Sequence, residues 1–332
     1  MANTVMAGAL LTQGLKSEFV KVWSENYETL KPDLGEIVWL GATSDKLTEF
    51  YAFLESAPYP VRWDRGTVIS SKAMKSVQFS VTNRDWAARI YYHHNDEQDD
   101  QTGSLYAQAR ELGANWGTLA ERVFFQFIQA GTDANLLPTV PNSADGVALY
   151  SSSTRFGSSG GNQVTESGTT TVQQIITDTM SVFRRYNEFQ NTESQPLWNM
   201  SQTKNLTVIY APELALVMNQ ALTAMAVFGY QAGTSTTDTS TAAGIDNVLK
   251  TAGFSIKPIM SQRITDTSRY FFLRGLPDYK KPIFQQVREG FSEALGNWET
   301  SDHTRDTGEK YLQFRSREGY GSALAYATIK LT

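Results

Sequence analysis

The chain has 332 residues, 41% hydrophobic and 19% charged, which is enough for one large or two or three small domains with a real core. A formal charge of −5, with Lys and Arg spread along the chain, argues against a protein whose main task is to neutralise phosphate, while weak contact with nucleic acid is not excluded. There is no cysteine, which excludes disulfides, thiolate metal sites and a Cys nucleophile.

The first residues show no basic region followed by a long apolar one, and no stretch of about 18 apolar residues occurs, so a soluble protein without a membrane span is expected. Residues 10–27 predict an amphipathic helix, with Leu11, Leu15, Phe19, Val22 and Trp23 on one stripe and Pro32 and Gly35 closing it. Residues 36–92 read as β-rich. Short apolar runs lie at 37–40 and 51–54, a further strand at 67–71, and a last one at 89–92. At Lys75–Thr82, Val77, Phe79 and Val81 alternate with Ser76, Gln78 and Ser80. The loop 58–66 is stiffened by Pro58 and Pro60 and carries Tyr59, Arg62, Trp63 and Arg65. An acidic run, 95–100, precedes one long predicted helix over 103–129, with Leu105, Ala109, Leu112, Trp116, Leu119, Val123 and Phe127 three or four apart.

A Gly/Pro/Asn/Ser-rich passage follows, with a short strand expected at 146–152 and a surface loop at 153–168. A helix is predicted over 171–190 with Val172, Ile175, Ile176, Met180, Phe183 and Tyr186 inward. Residues 205–212 read as a central strand stopped by Pro212, which opens a helix over 213–226. A polar loop at 230–244, a short helix at 245–252 and strands at 254–260 and 269–273 come next. The last feature is an expected hairpin, 310–317 and 322–331, turning at Glu318-Gly319-Tyr320-Gly321.

No catalytic constellation stands out. His93, His94, Asp96, Asp99 and Asp100 form the one metal-like group, but adjacent histidines on a strand point to opposite faces and His303 is distant in sequence. The glycines from Gly157 to Gly161 lack the Lys-Ser/Thr of a phosphate-binding loop. No catalytic, cofactor-binding or metal-binding residue is therefore assigned. The basic pairs Arg184/Arg185, Lys280/Lys281 and Arg315/Arg317 read as solvated surface by default.

The order of these pieces resembles the major head subunit family of Mu-like phages and prophages. The resemblance rests on Pro60, Trp63 and Gly66; on Asp96, Glu97, Asp99, Asp100 and Gly103 before the long helix; and on Gly146, Leu149, Tyr150 and Ser151. It continues through Ala211–Leu214, the strand 254–260, residues 280–290, and Tyr320 with Gly321. It implies an α+β capsid protein of the HK97-type fold, in five parts. These are an N-terminal arm (1–42), an extended β-hairpin loop (43–95), a peripheral domain with a long spine helix (96–200), an axial domain (201–300) and C-terminal strands returning to the peripheral sheet (301–332).

The implied function is that of a structural subunit and not an enzyme: a virion protein that self-assembles through hexamers and pentamers into an icosahedral head around double-stranded DNA, after synthesis in the host cytoplasm. Its principal partner is itself. Scaffold, portal and decoration proteins are further candidates, and packaged DNA is met by weak non-specific contact. The candidate contacts between subunits are Tyr59, Arg62, Trp63 and Arg65 in the loop, Asp96, Glu97, Asp99 and Asp100 in the acidic run, and Phe19 and Trp23 on the first helix. Aromatic and arginine side chains are the types that carry interface energy, while acids before a helix also suit its N-terminal dipole without any partner. Two other readings remain: a nanocompartment shell enclosing enzyme cargo, and a mixed α/β enzyme.

Overall fold

The computed structural model describes residues 2–56, 62–65, 68, 75–93, 95–96, 103–129, 136–137, 142–153, 155, 160–165, 171–190, 194–198, 204–223, 226–228, 244–251, 253–266, 270–274, 276, 281–296, 302–322 and 324–331. In chain order the main elements are α1 (Ala2–Ile37), β1 (Val38–Thr43), β2 (Thr48–Ser56), β3 (Lys75–Thr82), β4 (Arg84–His93), α2 (Ser104–Gly117), α3 (Leu119–Gln129), β5 (Gln163–Val164), α4 (Val172–Glu188) and β6 (Asn205–Tyr210). They continue with α5 (Ala215–Thr223), β7 (Ala226–Phe228), β8 (Gly244–Asp246), α6 (Val248–Thr251), β9 (Ser255–Met260), β10 (Tyr270–Arg274), β11 (Ile283–Gly296), α7 (Asp302–Thr307), β12 (Glu309–Ser322) and β13 (Thr328–Leu331). The chain divides into two units, each discontinuous in sequence.

The first unit comprises 1–49, 80–124 and 284–321. Its four-stranded sheet has the order β1-β11-β12-β4, with β12 antiparallel to β4 from Glu309↔His93 to Glu318↔Arg84. Alternation along β12 sends Leu312 and Phe314 inward, where they meet Leu15 and Phe19 of α1 and Leu105 and Ala109 of α2. The two helices approach closely because glycine removes the obstacle. A Cβ on Gly113 would lie 2.6 Å from the Phe19 carbonyl oxygen, and one on Gly117 would lie 2.8 Å from Asn26 Cβ.

Two helix expectations need correction. The first helix does not stop at Pro32 but runs to Ile37, because Leu34 and Ile37 in its last turns are buried. That burial offsets the hydrogen bond that proline removes. The predicted helix over 103–129 is two segments meeting at Thr118, whose backbone (φ −92°, ψ 2°) leaves the helical region. The Thr118 hydroxyl donates to the Asn115 carbonyl at 3.1 Å, a local bond that competes with the helical ladder.

The second unit comprises 50–79, 125–283 and 322–332. Its five-stranded sheet has the order β5-β13-β10-β6-β9; β10 is antiparallel to β13 and β6, while β6–β9 and β13–β5 are parallel. Every residue of β10 is buried, and so is every residue of β6 after Asn205. Helix α4, capped by the Thr171 hydroxyl accepting from the Gln174 amide, lays Ile175, Val182, Phe183 and Tyr186 on one face of this sheet. Tyr186 donates to the carbonyls of Phe272 and Ala327, both at 3.2 Å, and its burial pushes the phenol far above its ordinary value. On the opposite face Tyr150 packs near Phe271 and its hydroxyl lies 2.9 Å from that of Thr328. Pro258 falls on β9, an edge strand, where its missing N–H costs least.

Three further expectations change. Residues 146–152 form turns, not a strand, because the carbonyls of Ala148 and Leu149 are claimed by side chains. Arg155 donates to both, and Asn162 donates to Leu149 at 2.7 Å and to the carbonyls of Ala325 and Thr328 at 2.9 and 3.0 Å. Arg155 also forms a 2.6 Å ion pair with Asp145, both side chains buried, so this part of the expected surface loop is interior. Burial pulls Arg155 below its ordinary pKa, and Asp145 opposes that fall. Lastly, no hairpin turns at 318–321: β12 runs straight through to Ser322, and β13 joins the other sheet. The glycines there serve close packing. A Cβ on Gly319 would meet Gln286 at 2.8 Å, and one on Gly321 would overlap Val81 and meet Phe284 at 2.9 Å.

Candidate assembly surfaces

β2 and β3 pair as a two-stranded ribbon, and the described residues 62–65 and 68 lie between them in sequence. The root of the ribbon, in the first unit, is tied by a polar knot. Glu49 Oε1 accepts from the amides of Asp45 and Lys46, each at 2.9 Å, and from the Ser44 hydroxyl at 3.2 Å. These bonds, the Asp45 amide foremost, hold the Glu49 carboxyl below its ordinary pKa of 4.5. Asn83 Nδ2 donates to Ser44 Oγ (2.8 Å) and the Lys46 carbonyl (2.7 Å), and its Oδ1 accepts from Gln286 Nε2 (2.9 Å), which also donates to the Val81 carbonyl (3.2 Å). Asn83 and Gln286 are 4% and 0% exposed. A buried network with its groups bonded in this way admits few arrangements, so it holds the chain at 44–49 and 81–83 in one conformation.

Along the ribbon Tyr51 stacks on Phe79 with centroids 5.5 Å apart. Large apolar side chains of this segment face water: Phe50 on β2 is 74% exposed, Trp63 59% and Val68 95%. Arg62 and Arg65 are exposed beside Trp63, and Arg62 reaches Asp64 at 3.0 Å in a solvated pair that contributes little stability. Tyr59 lies outside the described residues. Large exposed apolar groups on one segment together with arginines are the composition of a contact surface.

Of the acidic run, Glu97, Asp99 and Asp100 lie outside the described residues. Asp96 is exposed; its Oδ2 accepts from the His93 amide at 3.3 Å, while the Asn95 amide donates to His93 Nδ1 at 3.2 Å. The first turn of α2 holds no acidic residue, and its N-cap is Gly103 at φ 71°. Asp96 thus shapes the end of β4 and does not cap the helix.

Phe19 and Trp23 turn inward. Phe19 is fully buried; its ring stacks on Phe314 at 3.7 Å and Phe291 at 5.1 Å and meets Trp116 edge-on at 6.3 Å. Trp23, half-buried, stacks on Phe291 at 5.6 Å. Both fasten α1 to its own unit, which leaves Phe19 unavailable to a neighbour.

One exposed surface is only half given by the sequence. On the outer face of the four-stranded sheet Arg89 donates to Gln313 at 2.9 Å and to the Tyr91 hydroxyl at 2.7 Å, with its guanidinium 4.3 Å from the Tyr311 ring centroid. The alternation of Tyr311, Gln313, Arg315 and Arg317 was visible, but the register that sets Arg89 opposite Gln313 and Tyr91 opposite Tyr311 was not. Arg315 reaches Glu289 at 3.3 Å and Arg317 reaches Asp85 at 2.7 Å. In the second unit, a cavity of about 270 Å³ lies beside Gln129, whose side chain bonds the Arg263 carbonyl and the Thr265 amide and hydroxyl.

Residues 11–138 match the family model described as Mu-like prophage major head subunit gpT. That match covers 128 of the 332 residues, so the likeness to the head-subunit family lies in the N-terminal part of the chain. The fold, mixed helix and strand, is that of HK97-like phage capsid structures. The capsid of a native GTA particle aligns with a TM-score of 0.55 and 9% identity over 90% of this chain and 88% of that one. A protein of Mycobacterium phage Patience aligns at 0.53 and 11% identity over 97% and 88%. A virus-like particle from Pyrococcus furiosus aligns at 0.51 and 10% identity over 95% and 98%. No curated protein matches the sequence. None of the helices among the described residues is long and apolar enough to cross a membrane.

Proposed function

We propose that this protein is a phage major capsid protein, which gathers in the host cytoplasm as hexamers and pentamers into a closed icosahedral shell around double-stranded DNA. The observation that carries the reading is the apolar, arginine-bearing ribbon 48–82, which exposes Phe50, Trp63 and Val68 beyond a rigidly bonded root. Each copy laps this ribbon on a neighbour, and many moderate contacts of that kind add up to a stable shell. The unit holding α1, α2 and the four-stranded sheet supplies the peripheral body, and the unit with the five-stranded sheet supplies the axial one. Scaffold, portal and decoration proteins are the further partners, and packaged DNA is met through weak contacts.

A likeness of fold also extends to the Pyrococcus furiosus virus-like particle. The family match over 11–138 is therefore what favours a phage head over a compartment built to hold enzyme cargo. Negative-stain electron microscopy of the purified protein, beside light scattering, tests the reading. Closed polyhedra, tubes or rings are expected. A protein that stays monomeric even with a scaffold supplied overturns it.

A further inference from the structure

A lysine in the middle of a covered sheet is unusual, because its amine loses water on burial. Lys330 stands on β13, between β5 and β10, and is 7% exposed. Its Nζ lies 5.9 Å from the Tyr150 ring centroid and 6.0 Å from that of Phe271, its register partner on β10. Lys330 is thus on the Tyr150 side of the five-stranded sheet, opposite α4. Lys330 and Phe271 both line the cavity of about 270 Å³, whose walls lie within the second unit.

The rest of the lining comes from two other segments. Gln126 and Gln129 stand in the last turns of α3, and Arg263, Thr265 and Asp266 in the stretch after β9. That stretch is held in place. Ser261 Oγ accepts from the Arg263 amide at 3.2 Å, and Gln129 Nε2 donates to the Arg263 carbonyl at 2.9 Å. Gln129 Oε1 accepts from the amide and hydroxyl of Thr265 at 3.0 and 3.1 Å. Two cations, Arg263 and Lys330, share the lining with one acid, Asp266, so its net charge is positive. The carbonyl end of α3 opposes this, but its field fades within the last turn, and Gln129 Nε2 also bonds the Phe125 carbonyl at 3.1 Å.

We infer that this cavity binds a phosphate group. Arg263 supplies a planar fork of donors for two oxygens, Lys330 a point charge and Gln126 a neutral amide. That set suits a tetrahedral oxyanion better than a flat carboxylate. An anion in the cavity offsets the cost of holding the Lys330 amine out of water. Walls already fixed by hydrogen bonds keep the ordering cost of binding small. The phosphate comes either free in solution or on a nucleic-acid backbone, and the inference does not depend on the head-shell reading.

Phosphorus NMR and titration calorimetry of the full-length protein with inorganic phosphate supply the test. One saturable site per chain is expected, with acetate about tenfold weaker. Arg263→Gln and Lys330→Met are each expected to weaken phosphate about tenfold, the loss of one charge-assisted bond. Asp266→Asn is expected to tighten it several-fold by removing a like charge. Thermal melts establish that each variant folds. Arg263 and Asp266 are part-exposed, so those two variants carry the test if Lys330→Met does not fold. A short DNA duplex that displaces the phosphate supports the site and identifies the backbone as the source; one that leaves it in place supports a site for free phosphate. Binding that does not saturate, acetate bound as tightly as phosphate, or variants that leave the affinity unchanged overturn the inference.

Discussion

In the five-stranded sheet β6 and β10 bury almost every residue, while in the four-stranded sheet β12 alternates buried and part-exposed positions for much of its length. The first is covered on both faces, by α4 on one and by the segment around Tyr150 on the other. The second is covered by α1 and α2 on one face and turns Arg89, Tyr91 and Tyr311 outward on the other. A sheet buried on both sides spends its side chains on its own stability. One buried on a single side keeps a row of aromatic and charged groups for use elsewhere.

The sharpest way to break this contrast is to attack what closes the second face of the five-stranded sheet. Arg155→Met strips the buried Asp145 of its cation and is expected to cost about 3–5 kcal/mol in urea unfolding. A loss under about 1 kcal/mol would show that this face is not sealed. Next comes a matched pair. Phe271→Ala is expected to cost about 3–5 kcal/mol, as for any fully buried ring. Tyr311→Ala, on the open face, is expected to lose about 1 kcal/mol or less, the value of a cross-strand pair. Similar losses for the two would erase the distinction.

The covered face of the four-stranded sheet is probed by Gly113→Ala. An alanine in mid-helix ordinarily stabilises by up to about 1 kcal/mol. Here its Cβ meets the Phe19 carbonyl, and a net loss of about 1–3 kcal/mol is expected in thermal melts. The smallest effect belongs to the ribbon root. Glu49 has its pKa lowered on folding, so its contribution is complete above 4.5 and is lost as pH falls through the lower folded-state value. Amide protection at Asp45 and Lys46 is expected to drop in that acid window. In Glu49→Gln it is expected to be weaker and flat with pH.

Much of this was legible in residues 172–188, where a clean helical period names the buried face, and in 205–210, where Leu206, Val208, Ile209 and Tyr210 announce a central strand. The long-range pieces were not. Gly319 and Gly321 look like a turn because glycine has two uses, freedom in φ and absence of a side chain, and only the neighbours Gln286 and Phe284 reveal that the second applies. Residues 146–152 look like a strand because nothing local says that Arg155 and Asn162 will take their carbonyls. For the candidate contacts the split is physical. Trp63 sits in a proline-stiffened loop with no helical stripe to fill, and it is exposed. Phe19 sits on such a stripe, and the stripe is buried in the protein's own core.

Both units are stitched from distant stretches of chain. The first unit needs β11 and β12 at the centre of its sheet, and the second needs β13 beside β10. On a growing polypeptide, therefore, the first sheet cannot close until Ser322 has left the ribosome, nor the second until Leu331 has. The ribbon is synthesised some 250 residues earlier than β13, by the numbers of Thr82 and Leu331. It must wait, sticky and exposed, while its support is still being made. Translation speed and chaperone cover over that interval will then decide how many copies reach a state fit to join a shell.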